Sequence, residues 1–337
     1  MKNQMFKNKS LLITGGTGSF GQAFVKKILS SKILKNVKKI VIYSRDELKQ
    51  TNMLNKIDKS QLKKIRFYIG DIRDENRLSR ALEGINIVIH AAALKHVPIA
   101  ESNPFEFIKT NVIGAHNLVE ACLNNGIENV IALSTDKAVS PINLYGATKL
   151  CSDKIFTSAN LMRGSKKIKF SVVRYGNVFG SRGSVLPIFL EQMNSGSFTI
   201  THKDMTRFNI TLSQAVDMVL WSLQNNIGGE IFVPKVPSFK VLDLAKATNK
   251  NCKLKFIGIR PGEKIYEELI SKADSINTYN IGNYYSVVEQ TQLPVIEFYK
   301  RKKYKKVPLN FEYNSSNNSD FLNVNQLKKL IVKFKKI

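Results

Sequence analysis

Short apolar segments alternate with longer amphipathic segments through the first half of the chain. The apolar segments are rich in Ile and Val, which is typical of strands that are buried on both faces. The segments between them repeat apolar residues at a spacing of three and four, which predicts helices. Six strands are predicted, at Ser10–Thr14, Lys39–Ser44, Ile65–Ile69, Ile87–His90, Asn129–Leu133 and Lys169–Tyr175. This alternation indicates an α/β fold with a parallel sheet covered by helices.

Three evenly spaced glycines follow the first strand and lead into a helix. Gly15, Gly18 and Gly21 leave room for a sharp turn and for close approach of a pyrophosphate to the backbone. The N-terminus of the following helix would add free amide donors. A purely structural turn is the alternative, but the position between strand and helix favours dinucleotide binding. We therefore expect a Rossmann-type doubly wound sheet.

The end of the second strand carries the residues that would distinguish NADP from NAD. An acid there favours a free ribose 2′-hydroxyl, whereas a base accommodates a 2′-phosphate. Ser44 and Arg45 come first, and Lys49 follows one helical turn later, so the sequence favours NADP. Asp46 is the dissenting residue, and its alternative role is to cap the next helix.

The third and fourth strands end in further candidates for cofactor contact. Asp71 could accept a hydrogen bond from an adenine amine or could cap a helix over Glu75–Leu82. Ala91–Ala93 are small enough to pack against a flat cofactor, and Lys95 could reach a phosphate or a sugar. One long helix is predicted over Pro104–Asn125.

The regular alternation fails after the sixth strand, which indicates a second structural unit. We predict a cofactor-binding domain over 1–176, to which 208–234 returns. Residues 177–207 and 235–337 would form a smaller substrate-binding lobe and a tail. The polar segment Asn314–Asn318 is predicted to be a surface loop.

Composition narrows the class of protein. The net charge is +26, but the lysines are scattered and no aromatic RNA-binding motif accompanies them. We therefore expect no nucleic-acid partner, although a basic surface would favour an anionic diphosphate substrate. The apolar runs are too short to predict a membrane span. Three widely spaced cysteines favour a reducing cytoplasm and predict no metal site.

A phenol and an amine lie four residues apart on a predicted helix. Tyr145 and Lys149 therefore share one face, and the ammonium is expected to lower the pKa of the phenol from about 10. The phenolate could then take a proton from a sugar hydroxyl while the carbon gives a hydride to a nicotinamide. Thr135 could bond to the same hydroxyl.

An acid and an amine precede this pair on the preceding loop. A dehydrogenase or a 4-epimerase has no need of Asp136 and Lys137, but a dehydratase needs both. Once C4 of the sugar is a ketone, Lys137 could remove the C5 proton while Asp136 protonates the departing C6 hydroxyl. The alternative is an ordinary surface ion pair.

These motifs together resemble the extended short-chain dehydrogenase/reductases. Within that family they are most similar to the inverting UDP-N-acetylglucosamine 4,6-dehydratases of pseudaminic acid synthesis. The matching segments are Ile13–Gly21, Tyr43–Lys49, His90–Glu101, Ser134–Lys149, Val173–Val178, Gly180–Ser184, Met205–Phe208 and Gly258–Lys264.

The resemblance implies an NADP-dependent lyase that acts on UDP-N-acetylglucosamine. It makes Asp136 and Lys137 the elimination pair, and Tyr145 and Lys149, helped by Thr135, the redox pair. The implied substrate contacts are Lys95, Lys137, Asn177, Arg182, Val185, Arg207, Arg260 and Glu263. The cofactor contacts expected from motif and resemblance are Gly15, Thr17, Gly18, Ser19, Phe20, Gly21, Ser44, Arg45, Glu47, Leu48, Lys49, Asp71, Ile72, Ala91, Ala92, Ala93, Lys95, Thr110, Tyr145 and Lys149.

Two positions favour the inverting subgroup. Larger, retaining relatives carry Met where this chain has Tyr145, and nucleoside-diphosphate-glucose dehydratases carry Asp-Glu at Asp136-Lys137. The chain departs from the subgroup at His202–Asp204, Asn209 and Tyr266, which bears on sugar specificity.

Three other expectations stay open at this point. The enzyme could be another nucleotide-sugar 4,6-dehydratase or a UDP-sugar 4-epimerase. A cofactor-binding regulator that has lost catalysis is a third class, against which the intact acid–base residues speak. The resemblance also implies a homo-oligomer built on dimers, with a hexamer as the form found in the subgroup.

Overall fold

A computed structural model of the protein describes residues 4–181 and 183–335. Its first six strands match the predicted positions, and the fifth runs two residues further than predicted. They are β1 (Ser10–Thr14), β2 (Lys39–Ser44), β3 (Ile65–Ile69), β4 (Ile87–His90), β5 (Asn129–Thr135) and β6 (Lys169–Tyr175). All six are parallel, in the order 3-2-1-4-5-6. The α/β, doubly wound class is therefore confirmed.

The strand order reverses between β1 and β4, which fixes where a ligand can bind. Both strands are buried along their whole length, because helices cover the two faces of the sheet. In such sheets the crevice lies outside the carboxyl ends of the strands at the reversal point. The glycine-rich turn after β1 and the alanines after β4 meet there.

Helices connect the six strands. They are α1 (Ser19–Leu29), α2 (Ile33–Asn36), α3 (Glu47–Leu54), α4 (Glu75–Leu82), α5 (Val97–Ser102), α6 (Pro104–Phe107), α7 (Gly114–Asn124) and α8 (Leu144–Met162). Short 3₁₀ turns lie at Gln4–Phe6, Lys59–Lys64 and Asp136–Ala138.

The long helix predicted over Pro104–Asn125 is not uniform. A π-helical segment, Ile108–Ile113, separates α6 from α7. A π turn holds one more residue than an α turn and often occurs at functional sites. It buries Thr110 and Asn111, and the Asn111 amide bonds both the N–H and the C=O of Leu94.

The second half of the chain extends the central sheet and also builds a lobe with its own core. Its elements are α9 (Val185–Gln192), β7 (Ser197–Ile200), β8 (Thr206–Phe208), α10 (Leu212–Asn225), β9 (Glu230–Pro234), β10 (Ser238–Lys240), α11 (Val241–Thr248), β11 (Lys253–Phe256), β12 (Glu268–Ile270), β13 (Thr278–Asn280), β14 (Tyr284–Val288), α12 (Leu293–Arg301), β15 (Lys305–Lys306), β16 (Tyr313–Asn314) and α13 (Val324–Lys335), with 3₁₀ turns at Met193–Ser195 and Ala273–Asn277. Phe189, Phe198, Phe239 and Leu244 pack at the centre of the lobe.

The central sheet extends further along the chain than the sequence predicts. β9 pairs with β6, and β14, β13 and β15 then continue the same sheet to ten strands. Part of the range 235–337 therefore belongs to the sheet rather than to the lobe. Short strands alternate with irregular loops in this range, so the sequence shows no strand–helix alternation from which the extra strands could be predicted.

The segment Asn314–Asn318 is a surface loop only in part: Ser316 and Asn317 are exposed, as its polarity predicts, whereas Asn314 and Ser315 are buried. Asn314 pairs with Glu268 as part of β16, and Ser315 is fully buried. Its polar atoms are satisfied by backbone and side-chain partners, which is how a polar segment can lie inside a fold. Among the described residues, no helix has the length and apolar character needed to cross a membrane.

Candidate active site

A cleft of about 820 Å³ opens at the carboxyl ends of the parallel strands, between the sheet and the lobe. The glycine-rich turn lies at one end, and the loops of the lobe lie at the other. Most of the candidate residues predicted from the sequence line this one cleft, although they come from nine separate stretches of chain.

The glycine-rich turn is built for close backbone approach. Gly15 has a φ of +64°, and a Cβ added there would lie 2.8 Å from the backbone of Ala92. A Cβ on Gly21 would lie 2.4 Å from the carbonyl oxygen of Gly16, so α1 packs directly on the turn. Gly18 caps α1 without a capping hydrogen bond from any described side chain. The first amides of α1 are thus available to an anion, which fits a pyrophosphate.

The rim beyond β2 carries the two basic residues that favour NADP. Arg45 and Lys49 both line the cleft, and about half of each side chain is exposed. Asp46 accepts a hydrogen bond from the Lys49 N–H at 2.9 Å, so it takes the helix-capping role that was its alternative. Glu47 and Leu48 do not line the cleft, and their side chains point to solvent. Any contact they make with a cofactor would use their backbone amides at the start of α3.

Asp71, the predicted contact of an adenine amine, lines the cleft beside Arg45. It is not the cap of α4, because Asp74 accepts from the N–H of Arg77 at 2.9 Å. The Asp71 carboxylate bonds Arg73 at 2.7 Å and lies 3.5 Å from Arg45. It can therefore hold Arg45 at the rim as well as face an adenine.

The π-helical segment brings a further polar group to the cleft. Thr110 lines it, and its buried Oγ1 has no hydrogen-bond partner within 4–181 and 183–335. A buried polar atom without a partner is costly, so a ligand that bonds to it is expected. Together with the uncapped start of α1, this atom shows that the residues present fit a dinucleotide. Thr17, Ser19, Phe20, Ile72, Ala91, Ala92, Ala93 and Lys95 complete this part of the lining.

The segment after β5 forms the floor of the cleft. Asp136–Ala138 makes a single 3₁₀ turn, capped by the Thr135 hydroxyl on the Lys137 N–H. A Cβ on Gly146 would lie 2.1 Å from the Lys137 carbonyl oxygen, so only glycine lets α8 approach the turn this closely. The approach places the Tyr145 phenol near Thr135, whose hydroxyl donates to Asp136 Oδ1 at 2.9 Å.

The protonation of this floor differs from the sequence-based expectation. Burial raises the pKa of Tyr145 to about 12, against the opposing effects of Lys137 and Thr135. The predicted lowering by Lys149 is therefore wrong for the free protein. Lys149 is itself buried, which lowers its pKa, and the charge that faces it is Asp153. The cation beside the phenol is Lys137, from the neighbouring turn.

Lys137 lies between two buried carboxylates. Its Nζ is 3.1 Å from Asp136 Oδ1 and 3.0 Å from Glu267 Oε1. Burial would lower the pKa of Lys137, but the two carboxylates outweigh it and raise that pKa above its ordinary value. Burial also raises the pKa of Asp136, which Lys137 opposes and Glu267 reinforces. The resting turn therefore holds Lys137 as an ammonium between Asp136 and Glu267, and Asp136 takes up a proton more readily than an ordinary carboxyl group.

Asp136 is the one catalytic candidate that does not reach the surface of the cleft. It is fully buried, and its Oδ2 has no hydrogen-bond partner in the described parts of the chain. A Cβ on Gly176, a cleft residue, would lie 3.0 Å from that oxygen. The carboxyl group thus lies directly beneath the floor, and Thr135 and Lys137 lie above it.

The lobe supplies the opposite wall. Asn177, Val185, Arg207, Arg260 and Glu263 all line the cleft. Arg207 is nearly buried and donates to two backbone carbonyl groups, whereas Arg260 is half-exposed on a loop. This wall is rich in cations, which suits a nucleoside diphosphate. The predicted contact Arg182 lies outside the described residues.

Sequence reasoning missed one charged residue of the cleft, Glu267. It lies directly before β12, and its N–H bonds to the hydroxyl of Ser315 at 3.0 Å. Its side chain is 3% exposed and faces Lys137 and Arg207. Because Glu267 and Glu268 look alike in the sequence, only the fold tells which one faces the cleft. No cluster of His, Cys, Asp or Glu suited to a metal ion exists within the described ranges.

The fold and the cleft define a class of protein, a Rossmann-type dinucleotide-binding protein whose cleft floor carries Tyr, Lys and Asp. The chain belongs to the polysaccharide biosynthesis protein family, whose sequence model matches residues 11–289, and with it to the extended short-chain dehydrogenase/reductases. The resemblance drawn from the motifs is thereby confirmed.

Individual relatives cover nearly the whole chain. The chain is 48% identical to the UDP-N-acetylglucosamine 4,6-dehydratase (inverting) of Campylobacter jejuni, over 97% of this chain and 98% of that protein. It is 43% identical to the UDP-glucose 4-epimerase of Rickettsia typhi, over 97% and 96%. The X-ray structure of Pen from Bacillus thuringiensis superposes with a TM-score of 0.87 at 34% identity, over 97% and 99% of the two chains.

Proposed function

We propose that the protein is an inverting 4,6-dehydratase of UDP-N-acetylglucosamine that uses NADP. The product would be UDP-2-acetamido-2,6-dideoxy-β-L-arabino-hex-4-ulose. The observation that carries the proposal is the pairing of Tyr145 with the Asp136-Lys137 turn beneath one cleft. The Campylobacter relative, named for this reaction, supports it at 48% identity.

The cofactor would lie with its pyrophosphate on the start of α1 and its 2′-phosphate near Arg45 and Lys49. When bound, the cofactor would supply the hydride chemistry that oxidises C4 of the sugar and later reduces C6. Thr110 Oγ1 would bond the cofactor on the side of the π-helical segment. Arg207 and Arg260 would bind the diphosphate of the substrate from the lobe, where their charges match.

Tyr145 would take the proton of the C4 hydroxyl, with Thr135 bonding the same oxygen. Its high pKa in the free cleft already includes the lowering effect of Lys137, so the positive charge of the oxidised nicotinamide would have to lower it further when cofactor and substrate are bound. Lys137 would then take the C5 proton. Asp136 would protonate the departing C6 hydroxyl from beneath the floor, which requires its Oδ2 beside Gly176 to become accessible when substrate binds, and the raised pKa of that carboxyl suits a general acid.

A 4-epimerase is the second candidate, favoured by the Rickettsia relatives at 42–43% identity. It would use Tyr145 and Lys149 and leave Asp136 and Lys137 without a chemical role.

Another nucleotide-sugar 4,6-dehydratase would differ only in the sugar, for which Tyr266 and Asn209 are the positions to compare. Tyr266 is exposed, whereas Asn209 is buried in the lobe.

Incubation of the purified protein with UDP-N-acetylglucosamine and NADP in deuterated water tests the proposal. Mass spectrometry should show loss of one water, and proton NMR should show deuterium at C5 of the inverted product. The galacto epimer at unchanged mass would establish the epimerase instead. Turnover of UDP-glucose alone would show that the sugar is misassigned.

We also expect a homo-oligomer in the cytoplasm that supplies pseudaminic acid synthesis. Phe105, Ile113, Leu161 and Met162 are apolar and exposed on or beside the helices α6 to α8. Exposed apolar groups on neighbouring helices are typical of subunit contacts. Sedimentation of the protein should give a mass of a dimer or a multiple of it, and a monomer would contradict this part.

A further inference from the structure

The amide of Asn143 connects the helix that carries Tyr145 and Lys149 to a turn of the lobe. Its Oδ1 accepts a hydrogen bond from the N–H of Gly146 at 2.8 Å, so Asn143 is the N-cap of α8. Its Nδ2 donates to the carbonyl oxygen of Gly262 at 2.9 Å. The two partners fix the orientation of the amide, because an N–H needs the oxygen and a carbonyl group needs the nitrogen.

Gly262 belongs to a tight turn that carries two of the predicted substrate contacts. The N–H of Glu263 bonds to the carbonyl oxygen of Arg260 at 3.1 Å, and Pro261 and Gly262 lie between them. Gly262 has a φ of +77°, and Pro followed by Gly at the centre is typical of a type II turn. All four residues of the turn line the cleft, whereas Asn143 does not. A change at Asn143 can therefore reach the substrate only through its neighbours.

The turn is held mainly from the side of Asn143. The residues that lead into it, Lys253–Arg260, are all exposed. A Cβ added to Gly262 would lie 3.1 Å from the Cβ of Asn143 and 3.0 Å from Val97 Cγ1, so the turn rests closely on these two side chains. Lys264 adds a second anchor, since its Nζ donates at 2.9 Å to a backbone carbonyl group of the cofactor-binding half. Loss of one anchor should loosen the turn without releasing it.

We propose that Asn143 is a positioning residue that holds the Arg260–Glu263 turn against the start of α8 and thereby sets the affinity for the nucleoside diphosphate part of the substrate. This rests on the function proposed above, which makes a uridine diphosphate sugar the ligand. Arg260 is half-exposed and its Nε lies 3.9 Å from Glu263 within the turn, so its guanidinium group moves with the turn. Its charge and donors suit a diphosphate.

Asn143→Asp separates the two contacts of the amide. The carboxylate keeps an acceptor for the N–H of Gly146, and Asp caps helices as well as Asn does, so the stability should stay near that of the parent protein. The donor to Gly262 is replaced by an oxygen that repels its carbonyl group. The affinity for UDP should fall about tenfold, the effect of one lost hydrogen bond.

Asn143→Ala is the second variant, because it removes both contacts. It should weaken UDP as Asn143→Asp does, and it should also lower the stability in urea unfolding, since the cap of α8 is lost. A loss of UDP affinity in the Ala variant alone would show that the cap matters and the contact with Gly262 does not, which overturns the proposal.

The KM and kcat of dehydration provide a readout that a merely structural role would not give. Asn143→Asp should raise the KM for UDP-N-acetylglucosamine and leave kcat unchanged, since a contact that acts on binding alone changes only KM. NADP affinity should also stay the same, because the turn lies on the substrate side of the cleft. A fall in kcat or in NADP affinity in place of the rise in KM would show that Asn143 acts on α8 instead.

Arg260→Ala shows whether the effect of Asn143 passes through the turn. With Arg260 removed, Asn143→Asp should weaken UDP clearly less than it does in the parent protein, because the side chain that the turn positions is gone. Equal weakening in the two backgrounds would overturn the proposal.

The matched control is Asn323→Asp. Asn323 is exposed and lies outside the cleft, and its Oδ1 accepts the N–H of Gln326 at 2.9 Å at the start of α13. The same change of an amide to a carboxylate there should alter neither UDP affinity nor KM.

Isothermal titration calorimetry with UDP and with NADP keeps the two proposals apart. If UDP affinity depends on Asn143 as expected but the parent protein does not dehydrate UDP-N-acetylglucosamine, the proposed function fails and the role of Asn143 stands. If the parent protein dehydrates the sugar and Asn143→Asp binds UDP as tightly as the parent, the role of Asn143 is wrong. A parent protein that does not bind UDP overturns both.

Discussion

Replacing Lys137 by Met tests how the floor of the cleft is held together. Met has nearly the same length but no charge, so the variant removes the ammonium between Asp136 and Glu267 and little else. Breaking a buried ion pair by removing one partner costs about 3–5 kcal/mol. We expect about 3 kcal/mol at neutral pH, the lower end, because Arg207 still faces Glu267 and the raised pKa of Asp136 makes that carboxyl easier to neutralise.

The free energy of unfolding that Lys137→Met loses should become smaller as the pH falls. In the parent protein the pKa of Glu267 is lowered on folding, so its contribution is complete above the unfolded value of about 4.3 and is lost as the pH falls further, through the lower folded pKa. Without Lys137 this contribution shrinks. The two proteins should therefore differ most in free energy of unfolding at neutral pH and converge in acid.

Urea unfolding followed by circular dichroism, at neutral pH and at a pH well below the unfolded pKa of about 4.3, measures both quantities. Lys154→Met is the control, because Lys154 lies on the exposed side of α8 in a surface pair with Glu289, worth about 0–1 kcal/mol. Dehydration should be lost in Lys137→Met while NADP still binds. A free energy of unfolding within about 0.5 kcal/mol of the parent would refute the ion-pair reasoning, and near-normal turnover would refute Lys137 as the base.

Three further outcomes follow from the cleft. Tyr145→Phe should lower turnover by about 100-fold or more with the stability nearly unchanged, and an active Phe variant would show that another group takes the C4 proton. Arg45→Ala should weaken NADP about tenfold and leave NAD unaffected in a fluorescence titration, whereas equal losses would exclude contact with the 2′-phosphate. Gly21→Ala should cost about 1–3 kcal/mol of stability, because the new Cβ would lie 2.4 Å from Gly16. Gly18→Ala has its nearest contact at 3.2 Å, so it should weaken NADP binding rather than the fold. Equal stability of the two variants would contradict the packing.

The strands of the dinucleotide-binding half were predictable because burial on both faces leaves a strong pattern. Runs such as Ile87–His90 have no polar alternation, and the glycines at 15, 18 and 21 mark the turn that follows the first strand. The same reasoning predicted that Thr135, Tyr145 and Lys149 would lie together, and all three line the cleft. Strand ends in a parallel sheet share one edge, so position in the chain predicts position in space.

Electrostatic partners were harder to predict, since they depend on contacts across the fold. Sequence spacing places Lys149 one turn from Tyr145, but burial dominates the pKa of that phenol, and the nearby cation is Lys137. Glu267 reaches the cleft only because β12 pairs with β16, a strand whose polar residues read as a surface loop. No local pattern reports such a pairing.

The π-helical segment Ile108–Ile113 also makes the cleft sensitive to the exact number of residues between Thr110 and α7. The extra residue of the π turn rotates the part of the helix that lines the cleft relative to α7. The face of α7 that packs on α4 therefore points in a different direction. Deleting one residue there would restore ordinary helical spacing and turn one face by about 100° relative to the other. Thr110 would then leave the cleft while the sheet and its cover stayed intact. A cofactor pocket can therefore be lost by changing the length of a helix without changing any residue that touches the ligand.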